Sequence, residues 1–185
     1  MDDMMQGLLG DGGFIKACML CCSQDNGAYI SHLFCMEQCR PQNGLYVCQF
    51  YKQGEWVKVI VDDRIPCRVG GVPGEATPIF ARSKDAHELW PMIIEKAYAK
   101  LHGGYSRIVD MGVAYCLRDI TGGRTNACAL SEVATREEFV RLTDPPPHGG
   151  KMICMVFRHD PSNIVGDQGG SPTSSQPENF NCHTT

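Results

Sequence analysis

The sequence predicts an α+β fold, and three segments carry that prediction. Residues 45–61 alternate between apolar and polar types around a glycine, which is typical of a β-hairpin. Residues 83–102 place apolar residues at helical spacing, and residues 151–157 form a short, fully apolar run typical of a buried strand. Apolar residues make up 43% of the 185-residue chain. That fraction is enough for a hydrophobic core in one domain, or in one domain and part of another.

The charge and apolar patterns argue against several functional classes. The formal net charge is −4 and no basic stripe is present, which argues against a nucleic-acid partner. No apolar run reaches the ~18 residues that a membrane-spanning helix needs. The start, MDDMM, is acidic and lacks the apolar region of a signal peptide. We therefore expect a cytoplasmic protein with no transmembrane segment.

The chain contains eleven cysteines, an odd number, and most of them lie inside apolar runs such as CMLCC and YVCQF. This placement favours reduced, buried thiols in a cytosolic protein. The spacing of five of them is loosely compatible with a zinc site: Cys18, Cys21, Cys22, Cys35 and Cys39. They stand in apolar helical runs and not in the turns that zinc ribbons use. Buried thiols are therefore the favoured interpretation, and a zinc-stabilised structural module is the alternative.

The amino-terminal part of the chain predicts two helices. A glycine-rich stretch at 7–13 leads into FIKACMLCC at 14–22, an almost wholly apolar run that predicts a buried helix. A second helical run, YISHLFCMEQC at 29–39, ends at the turn cluster RPQNG.

The clearest local signal is the sequence GLYVCQFYKQGEWVKVIVDD. Its β-branched and aromatic residues favour a pleated, half-buried surface, so we predict strands at about 45–51 and 55–61. Asp62 and Asp63 follow the second strand. Capping of a turn explains these carboxylates better than metal binding does. A loop rich in glycine and proline follows at 68–78.

The strongest helical pattern lies between residues 83 and 102. Ser83 or Asp85 can cap its start, Pro91 falls in the first turns, and Gly103 stands just past its end. A second amphipathic helix is predicted from ATREEFVRLTD at 134–144.

The stretch QGLLGDGG at 6–13 has the character of a catalytic loop that runs into a helix. A thiol nucleophile is commonly placed at a helix N-terminus, where the helix dipole lowers the pKa of the thiol. A polar side chain just upstream, here Gln6, could donate to an oxyanion. Gly12 and Gly13, however, have no side chains. The residues alone leave two alternatives: an altered catalytic loop, or a glycine-rich helix entry with no chemistry.

Five motifs stand in a fixed order along the chain. They are QGLLGDGG at 6–13, the hairpin GLYVCQFYKQGEWVKVIVDDRIP at 44–66, ELW at 88–90 with EKAYAK at 95–100, GY at 104–105 and TGG at 121–123. In this order they resemble the calpain family of calcium-dependent cysteine proteases, along most of the chain. The cysteine-rich composition and the altered loop are similar to the calpain-like proteins of trypanosomatid protozoa.

The resemblance implies a papain-like protease core of two subdomains. In the family the first subdomain carries the nucleophilic Cys and the oxyanion Gln, and the second carries a His in G-H-A-Y and an Asn in N-P-W-G. Neither of these two segments is present here. We therefore expect a papain-like first subdomain at 1–150, with a central helix, a small antiparallel sheet and flanking helices. The first strand of the second subdomain is expected at 151–159 and a flexible tail at 160–185, whose polar composition cannot bury enough surface. Such a chain would be a fragment of a longer protein or a truncated product.

The family's segment Q-G-x-L-G-D-C-W sets the roles that the resemblance implies. Gln6 holds the oxyanion position, Gly12 the nucleophile position and Gly13 the tryptophan position. No thiolate can form at Gly12, so we predict an inactive protease core with a regulatory or binding role. Its partners would be protein substrates, regulatory proteins or the second protease subdomain. The alternative within the family is a protease that is active only in a longer context or with a partner chain.

A calcium site is also implied by the resemblance. In the family the first subdomain binds one calcium ion through loop carboxylates and carbonyls. Asp3, three residues before Gln6, and Glu88 match those carboxylate positions. Two carboxylates with backbone carbonyls and water supply the oxygen ligands that calcium prefers. The alternative is that Asp3 belongs to a frayed acidic start and that Glu88 is a first-turn charge favoured by the helix dipole.

Overall fold

The computed structural model of the chain describes residues 4–69, 76–85, 87–144, 152–158 and 178–184. The chain divides into two compact units, Met1–Gly123 and Arg124–Thr185. Each unit is described by itself.

The first unit mixes helices with three small antiparallel sheets, as an α+β fold requires. Its elements in chain order are β1 (Met4–Met5), α1 (Gly12–Ser23), α2 (Ala28–His32), β2 (Leu45–Lys52), β3 (Glu55–Asp62), β4 (Cys67–Val69), β5 (Ala76–Pro78), β6 (Arg82–Ser83), α3 (Trp90–His102) and α4 (Val113–Thr121). Each sheet has two strands, and the pairs are β1 with β6, β2 with β3, and β4 with β5.

The predicted hairpin is present as β2 and β3. The register runs from Leu45 opposite Asp62 to Lys52 opposite Glu55. Gln53 and Gly54 have φ angles of 54° and 96°. Positive φ at both loop residues is the geometry of a type I′ turn, which matches the twist of the flanking strands. The Asp62 carboxylate accepts a hydrogen bond from the Arg64 N–H at 2.8 Å, as a turn-forming aspartate does.

The apolar run at 14–22 is a buried helix, as predicted, and α1 begins slightly earlier, at Gly12. The second predicted helix is wrong beyond residue 32. Phe34 bridges to Cys48 of β2, and the Cys35 N–H donates to the Val47 carbonyl at 2.9 Å. Hydrogen bonds to the hairpin replace the intrahelical ones there, so tertiary pairing overrides the local helical pattern.

The long helix also begins later than predicted. Neither Ser83 nor Asp85 caps it, because Ser83 lies in β6 and α3 starts at Trp90. Pro91 lies in the first turn, and Gly103 ends the helix with a φ of 94°, both as predicted. The sequence analysis missed α4. Its signal was present, because the apolar residues of VAYCLRDIT fall at helical spacing.

The core of the first unit centres on Tyr98 of α3, which is fully buried. Its ring stacks on Phe14 of α1, with centroids 4.2 Å apart, and lies 5.3 Å from the Phe50 ring of β2. Its hydroxyl donates to Asp119 of α4 at 3.0 Å. One side chain therefore joins α1, α3, α4 and the hairpin.

The second unit contains β7 (Thr125–Ala129), α5 (Arg136–Thr143), β8 (Met152–Arg158) and β9 (Glu178–Thr184). The predicted amphipathic helix is α5, capped by the Thr135 hydroxyl, which accepts the Glu138 N–H at 3.1 Å. The predicted strand at 151–157 is β8. The sheet order is β7-β9-β8, and both pairings are antiparallel.

The predicted flexible tail at 160–185 falls mostly outside the described residues. The exception is β9, which is paired on both sides with β7 and β8. Among the helices that the structure describes, none has both the length and the apolar character needed to cross a membrane.

Asp119 holds a buried polar network together. Its Oδ2 atom accepts hydrogen bonds from Tyr98 and from Lys52 Nζ at 2.9 Å, and lies 3.3 Å from His102 Nε2. Burial by itself opposes ionisation of this carboxyl. The hydrogen bonds from His102, Lys52 and Tyr98 and the lysine charge outweigh burial and hold the pKa of Asp119 below 3.8.

Replacement of Asp119 by alanine is expected to lower the free energy of unfolding by about 3 kcal/mol, because its buried donors lose their acceptor. Urea denaturation at pH 7 measures this loss. Because the pKa of Asp119 is lowered on folding, its contribution is present above pH 3.8 and is lost as the pH falls through the folded value. The difference between the wild type and Asp119→Asn should therefore shrink in acid.

The matched control is Asp62→Ala. Asp62 also pairs with a lysine, Lys96, but its side chain is 60% exposed. We expect little change in the denaturation midpoint for this variant. Equal midpoints for the Asp119→Ala and Asp62→Ala variants would contradict the role assigned to the Asp119 network.

Candidate active site

The start of α1 lies beside the side chain of Gln6. A Cβ built on Gly12 would stand 3.2 Å from Gln6 Oε1 and 3.7 Å from Nε2. The Gln6 amide is held in place because its Nε2 donates to the Leu9 carbonyl at 2.7 Å. The structure therefore brings the residues at the two positions predicted from the sequence into contact. A side chain at residue 12 would meet only the flexible end of Gln6, which can shift by the few tenths of an ångström required.

Gly13 is in a different situation. A Cβ at this position would overlap the carbonyl oxygen of Met111. The loop that carries Met111 is fixed nearby, because the Asp110 N–H donates to the Gly10 carbonyl at 2.9 Å. Backbone packs directly against backbone here, so no other residue fits unless the loop moves.

Gly7 shows the same constraint on the other side of the loop. A Cβ at Gly7 would overlap the carbonyl oxygen of Phe80, and the neighbouring Leu8 N–H donates to Ile79 at 2.8 Å. Packing therefore requires glycine at residues 7 and 13 but not at residue 12. At residue 12 the nearest neighbour of such a Cβ is a side chain, that of Gln6, and not backbone.

Residue 12 is the first residue of α1. The N–H groups of Phe14 and Ile15 donate to the Asp11 carbonyl at 2.9 and 3.2 Å. The helix dipole places partial positive charge at residue 12, which would favour a thiolate there and lower its pKa. Gly12 has no group that could use this field.

Two apolar side chains of this part of the chain are exposed. Leu8 is 71% exposed and Val109 is 38% exposed. A Cβ on Gly10 would lie 3.2 Å from Val109 Cγ1. Val109 therefore lies beside the loop that leads into α1.

Sequence reasoning missed a pair of buried carboxyl groups beneath the site. Asp11 is 0% exposed and Glu95 is 1% exposed. Burial raises the pKa of both groups, and that of Glu95 reaches about 9 with the added effect of the Asp11 hydrogen bond and charge. The sequence held one signal for this pair. Glu95 is a charged residue that directly follows the apolar run Met92–Ile94 in a predicted helix.

The cysteines of α1 lie in surroundings that disfavour a thiolate. Cys18 and Cys21 are fully buried, and Cys22 is 5% exposed. Burial, with neighbouring thiols adding to it, raises the pKa of Cys18 well above 9 and that of Cys21 to about 12. Thiols in such surroundings stay protonated and inert at neutral pH.

Of the two predicted calcium ligands, Asp3 lies outside the described residues. Glu88 is described, and its Oε2 accepts hydrogen bonds from Ser83 Oγ at 2.7 Å and Trp90 Nε1 at 3.1 Å. Met4 of β1 pairs with Ser83, so the start of the described chain lies next to the residue that binds Glu88.

Within the described part of the chain, no group of three or more His, Cys, Asp or Glu side chains is placed to hold a metal ion. This part of the chain includes the five cysteines whose spacing is loosely compatible with a zinc site: Cys18, Cys21, Cys22, Cys35 and Cys39. Their placement gives the zinc interpretation no support.

Comparison with known proteins identifies the family. The model of the family described as calpain family cysteine protease matches residues 1–166. The chain belongs to the calpain family. The calpain-type cysteine protease ADL1 of Oryza sativa subsp. japonica is 42% identical over 121 residues. Calpain clp-4 of Caenorhabditis elegans is 37% identical over 156 residues, and the human calpain-2 catalytic subunit is 31% identical over 153 residues.

The matches cover most of this calpain-family chain but little of its relatives. They include 65% of the chain for the rice protein, 83% for the nematode protein and 82% for the human protein. The same matches span 5%, 21% and 19% of those proteins, respectively. The chain therefore corresponds to about a fifth or less of the length of these relatives.

The difference between the two adjacent glycines of α1 is directly testable. Gly13→Ala is expected to lower the free energy of unfolding by about 3 kcal/mol, because the Met111 loop must move. Gly12→Ala is the matched control and should change stability by no more than about 0.5 kcal/mol. Urea denaturation of both variants measures the difference, and similar values for both would refute the assigned packing.

The reactivity of the thiols gives a second test. Peptide-resolved alkylation of the folded protein at pH 7 should label the exposed Cys67 quickly and the peptide containing Cys18, Cys21 and Cys22 slowly. In urea all four should react at similar rates. Fast labelling of the α1 peptide in the folded protein would show that a core cysteine is activated, contrary to the burial described above.

Proposed function

We propose that this chain is a calpain-family protease core, papain-like in its first subdomain, that has lost its nucleophile and binds peptide segments without cleaving them. The observation that carries the proposal is the space at Gly12. A Cβ at residue 12 would have the Gln6 side chain as its nearest neighbour, with Gln6 Oε1 3.2 Å away, and the helix dipole there favours a thiolate. In this proposal the oxyanion residue and the helix start are kept, whereas the nucleophile, the tryptophan at residue 13 and the His and Asn segments are not.

A binding role is supported by the surface beside Gly12. Val109 exposes an apolar side chain beside Gly10 of this loop, and the N–H of Gln6 Nε2 that is not bonded to the Leu9 carbonyl can donate to a carbonyl oxygen of a bound peptide. An oxyanion donor without a nucleophile does not lead to acyl transfer, but it can still hold a peptide carbonyl. The partners proposed are protein substrates or regulatory proteins of the family, together with the second protease subdomain.

The proposal keeps the organisation predicted from the sequence. Residues 1–150 would be the first protease subdomain, 151–159 the first strand of the second and 160–185 a tail. The boundary between the two compact units falls between Gly123 and Arg124, before residue 150, the end predicted for the first subdomain. A cytoplasmic location is supported by the burial of Cys18, Cys21, Cys39, Cys48 and Cys116 in apolar surroundings, which suits reduced thiols.

Calcium is proposed as a ligand through Asp3 and Glu88. The support is the chemistry of the donors, since carboxylate and carbonyl oxygens are what calcium prefers. A second support is that one Glu88 oxygen is oriented by Ser83 and Trp90, which holds the carboxylate near the β1–β6 pair. Bound calcium would tie the start of the chain to the segment before α3.

The deciding experiment is hydrolysis of fluorogenic casein by the chain and by Gly12→Cys. Each is assayed alone and with the second subdomain of a calpain-family relative, with and without calcium. Cleavage is expected only from Gly12→Cys with the second subdomain, because nucleophile and base must meet. Adding Gln6→Ala to Gly12→Cys should then lower kcat by about 10²-fold, as loss of an oxyanion donor does.

Gly12→Ala with the second subdomain is the inactive control, and casein binding to the unmodified chain is measured by fluorescence anisotropy. Cleavage by the unmodified chain would overturn the assignment of residue 12 and favour a protease that is active in a longer context. The proposal of a protease core that binds peptides without cleaving them would be overturned by two results together: Gly12→Cys does not cleave casein, and the unmodified chain does not bind it.

A further inference from the structure

The two edges of the hairpin are covered in different ways. On the β2 side the covering is backbone: the Cys35 N–H donates to the Val47 carbonyl at 2.9 Å, and the Gln49 N–H donates to the Leu33 carbonyl at 2.8 Å. On the β3 side, β2 is the only strand that pairs with β3 among the strands that the structure describes. The outer edge of β3 therefore has no strand neighbour within the described residues.

The backbone groups on that edge belong to alternate residues of β3. Val47 and Gln49 of β2 direct their bonded backbone groups away from β3. The register places Ile60 and Lys58, respectively, opposite these two residues. In an antiparallel pair, opposite residues of this kind both turn their N–H and C=O groups outward. The outer edge of β3 is therefore formed by Lys58, Ile60 and, two residues further, Asp62.

Two lysines of α3 cap the carbonyl groups of this edge. Lys100 Nζ donates to the Ile60 carbonyl at 2.7 Å. Lys96 Nζ donates to the Asp62 carbonyl at 3.1 Å and to the Arg64 carbonyl at 2.7 Å. The spacings match, because four residues of a helix rise about 6.0 Å and two residues of an antiparallel strand about 6.8 Å. Through these side chains, α3 supplies the donors that a third strand would supply through its backbone.

The strand behind this cap has the composition of one that pairs readily. β3 reads EWVKVIVD, which is rich in β-branched residues and contains neither proline nor glycine. Trp56 and Ile60 lie on one face of it and are 39% and 55% exposed. An exposed apolar edge strand is a template for another chain unless charges block it, and lysine is a common blocking residue.

The sequence of β3 is complementary to itself in an antiparallel register centred on Ile60. In that register Ile60 faces Ile60 of a second copy, and Lys58 faces Asp62 of the second copy on each side of the centre. Opposite charges in directly facing positions stabilise a pair of strands. A register centred on Lys58 would instead place two lysines opposite each other, which destabilises a pair. The charge pattern therefore favours a second copy of this chain as the occupant of the edge, in the register centred on Ile60.

We propose that the outer edge of β3 is a pairing surface for a second copy of this chain, and that Lys96 and Lys100 keep this surface closed. Without the two ammonium groups, the carbonyls of Ile60 and Asp62 accept hydrogen bonds from the backbone of the second copy. The contact is isologous and joins two hairpins into one four-stranded sheet. It uses no residue of the candidate active site, so it fails or succeeds independently of the proposed function.

The first test compares the unmodified chain with the double variant Lys96→Met/Lys100→Met, because methionine keeps an unbranched side chain and removes the donor. Sedimentation velocity over a concentration series should show the mass of the double variant shifting from the 20.4 kDa monomer toward twice that value. The unmodified chain should keep the monomer mass at the same concentrations. Lys96→Arg/Lys100→Arg retains the donors and should stay monomeric, as should Lys16→Met, which removes an exposed charge from α1.

Circular dichroism shows whether each variant is folded. A folded double variant that stays monomeric at every concentration would overturn the proposal, and so would equal dimerisation of Lys16→Met. If the double variant does not fold, Lys100→Met takes its place, because it frees the Ile60 carbonyl at the centre of the register and leaves Lys96 intact. The same two outcomes then decide.

The second test addresses the register in the double variant. Directly opposite residues in a hydrogen-bonded antiparallel pair have Cα atoms about 5.5 Å apart, within the range of a disulfide. Added Ile60→Cys should therefore link two copies under an oxidant, with the link identified by mass spectrometry of the peptide that contains residue 60. Lys58→Cys is the control and should not link to itself, because residue 58 faces residue 62 of the second copy.

The charges give an independent check of the same register. Adding Lys58→Glu to the double variant should abolish the dimer, since it places two negative charges opposite each other, and further addition of Asp62→Lys should restore it. A dimer that links through residue 58, or one that is insensitive to Lys58→Glu, would contradict the proposed surface.

Discussion

The contact between Tyr98 and Phe14 is the interaction on which the first unit depends. The two rings stack almost in parallel, with an interplanar angle of 9°, and they place α1 against α3. At the other end of the same side chain, the Tyr98 hydroxyl is bonded to Asp119 of α4. Burial of a ring of this size contributes strongly to stability only when its polar end finds a partner. Because Tyr98 meets both needs at once, the direction of α1, and with it the position of residue 12, follows from its packing.

Around residue 12, close backbone packing constrains the loop that leads into α1. Close backbone approaches enforce the glycines at 7 and 13, whereas Gly12 faces the side-chain amide of Gln6. Residue 12 is therefore constrained by one side chain and not by backbone. The glycine at 13 differs, because the Met111 loop occupies the volume next to it. A tryptophan at 13, as in the family's motif, requires another placement of that loop, so recovery of the nucleophile alone would not recover the whole motif.

The two buried acid clusters show how neighbours decide the charge of a carboxyl group. Asp119 is surrounded by Lys52, His102 and Tyr98, and its pKa lies below the ordinary value. Asp11 and Glu95 are also buried, but none of the ion pairs among the described residues includes either carboxyl group, and their pKa values rise. Neighbouring charge therefore sets opposite directions for two groups of acids that are alike in burial.

The sequence by itself determined the elements whose signals are local. The hairpin was predicted almost to the residue, because alternation and a Gln-Gly turn need only neighbours along the chain. The motif containing Gln6 and Gly12 also identified the candidate site. Only the tertiary structure decided where α2 ends and where α3 begins, since pairing of residues 34 and 35 with β2 and of β6 with β1 replaced helical hydrogen bonds. It alone revealed the meeting of Asp11 and Glu95, which stand 84 positions apart in the sequence. Such a contact depends on how α1 packs against α3, and no local pattern encodes that geometry.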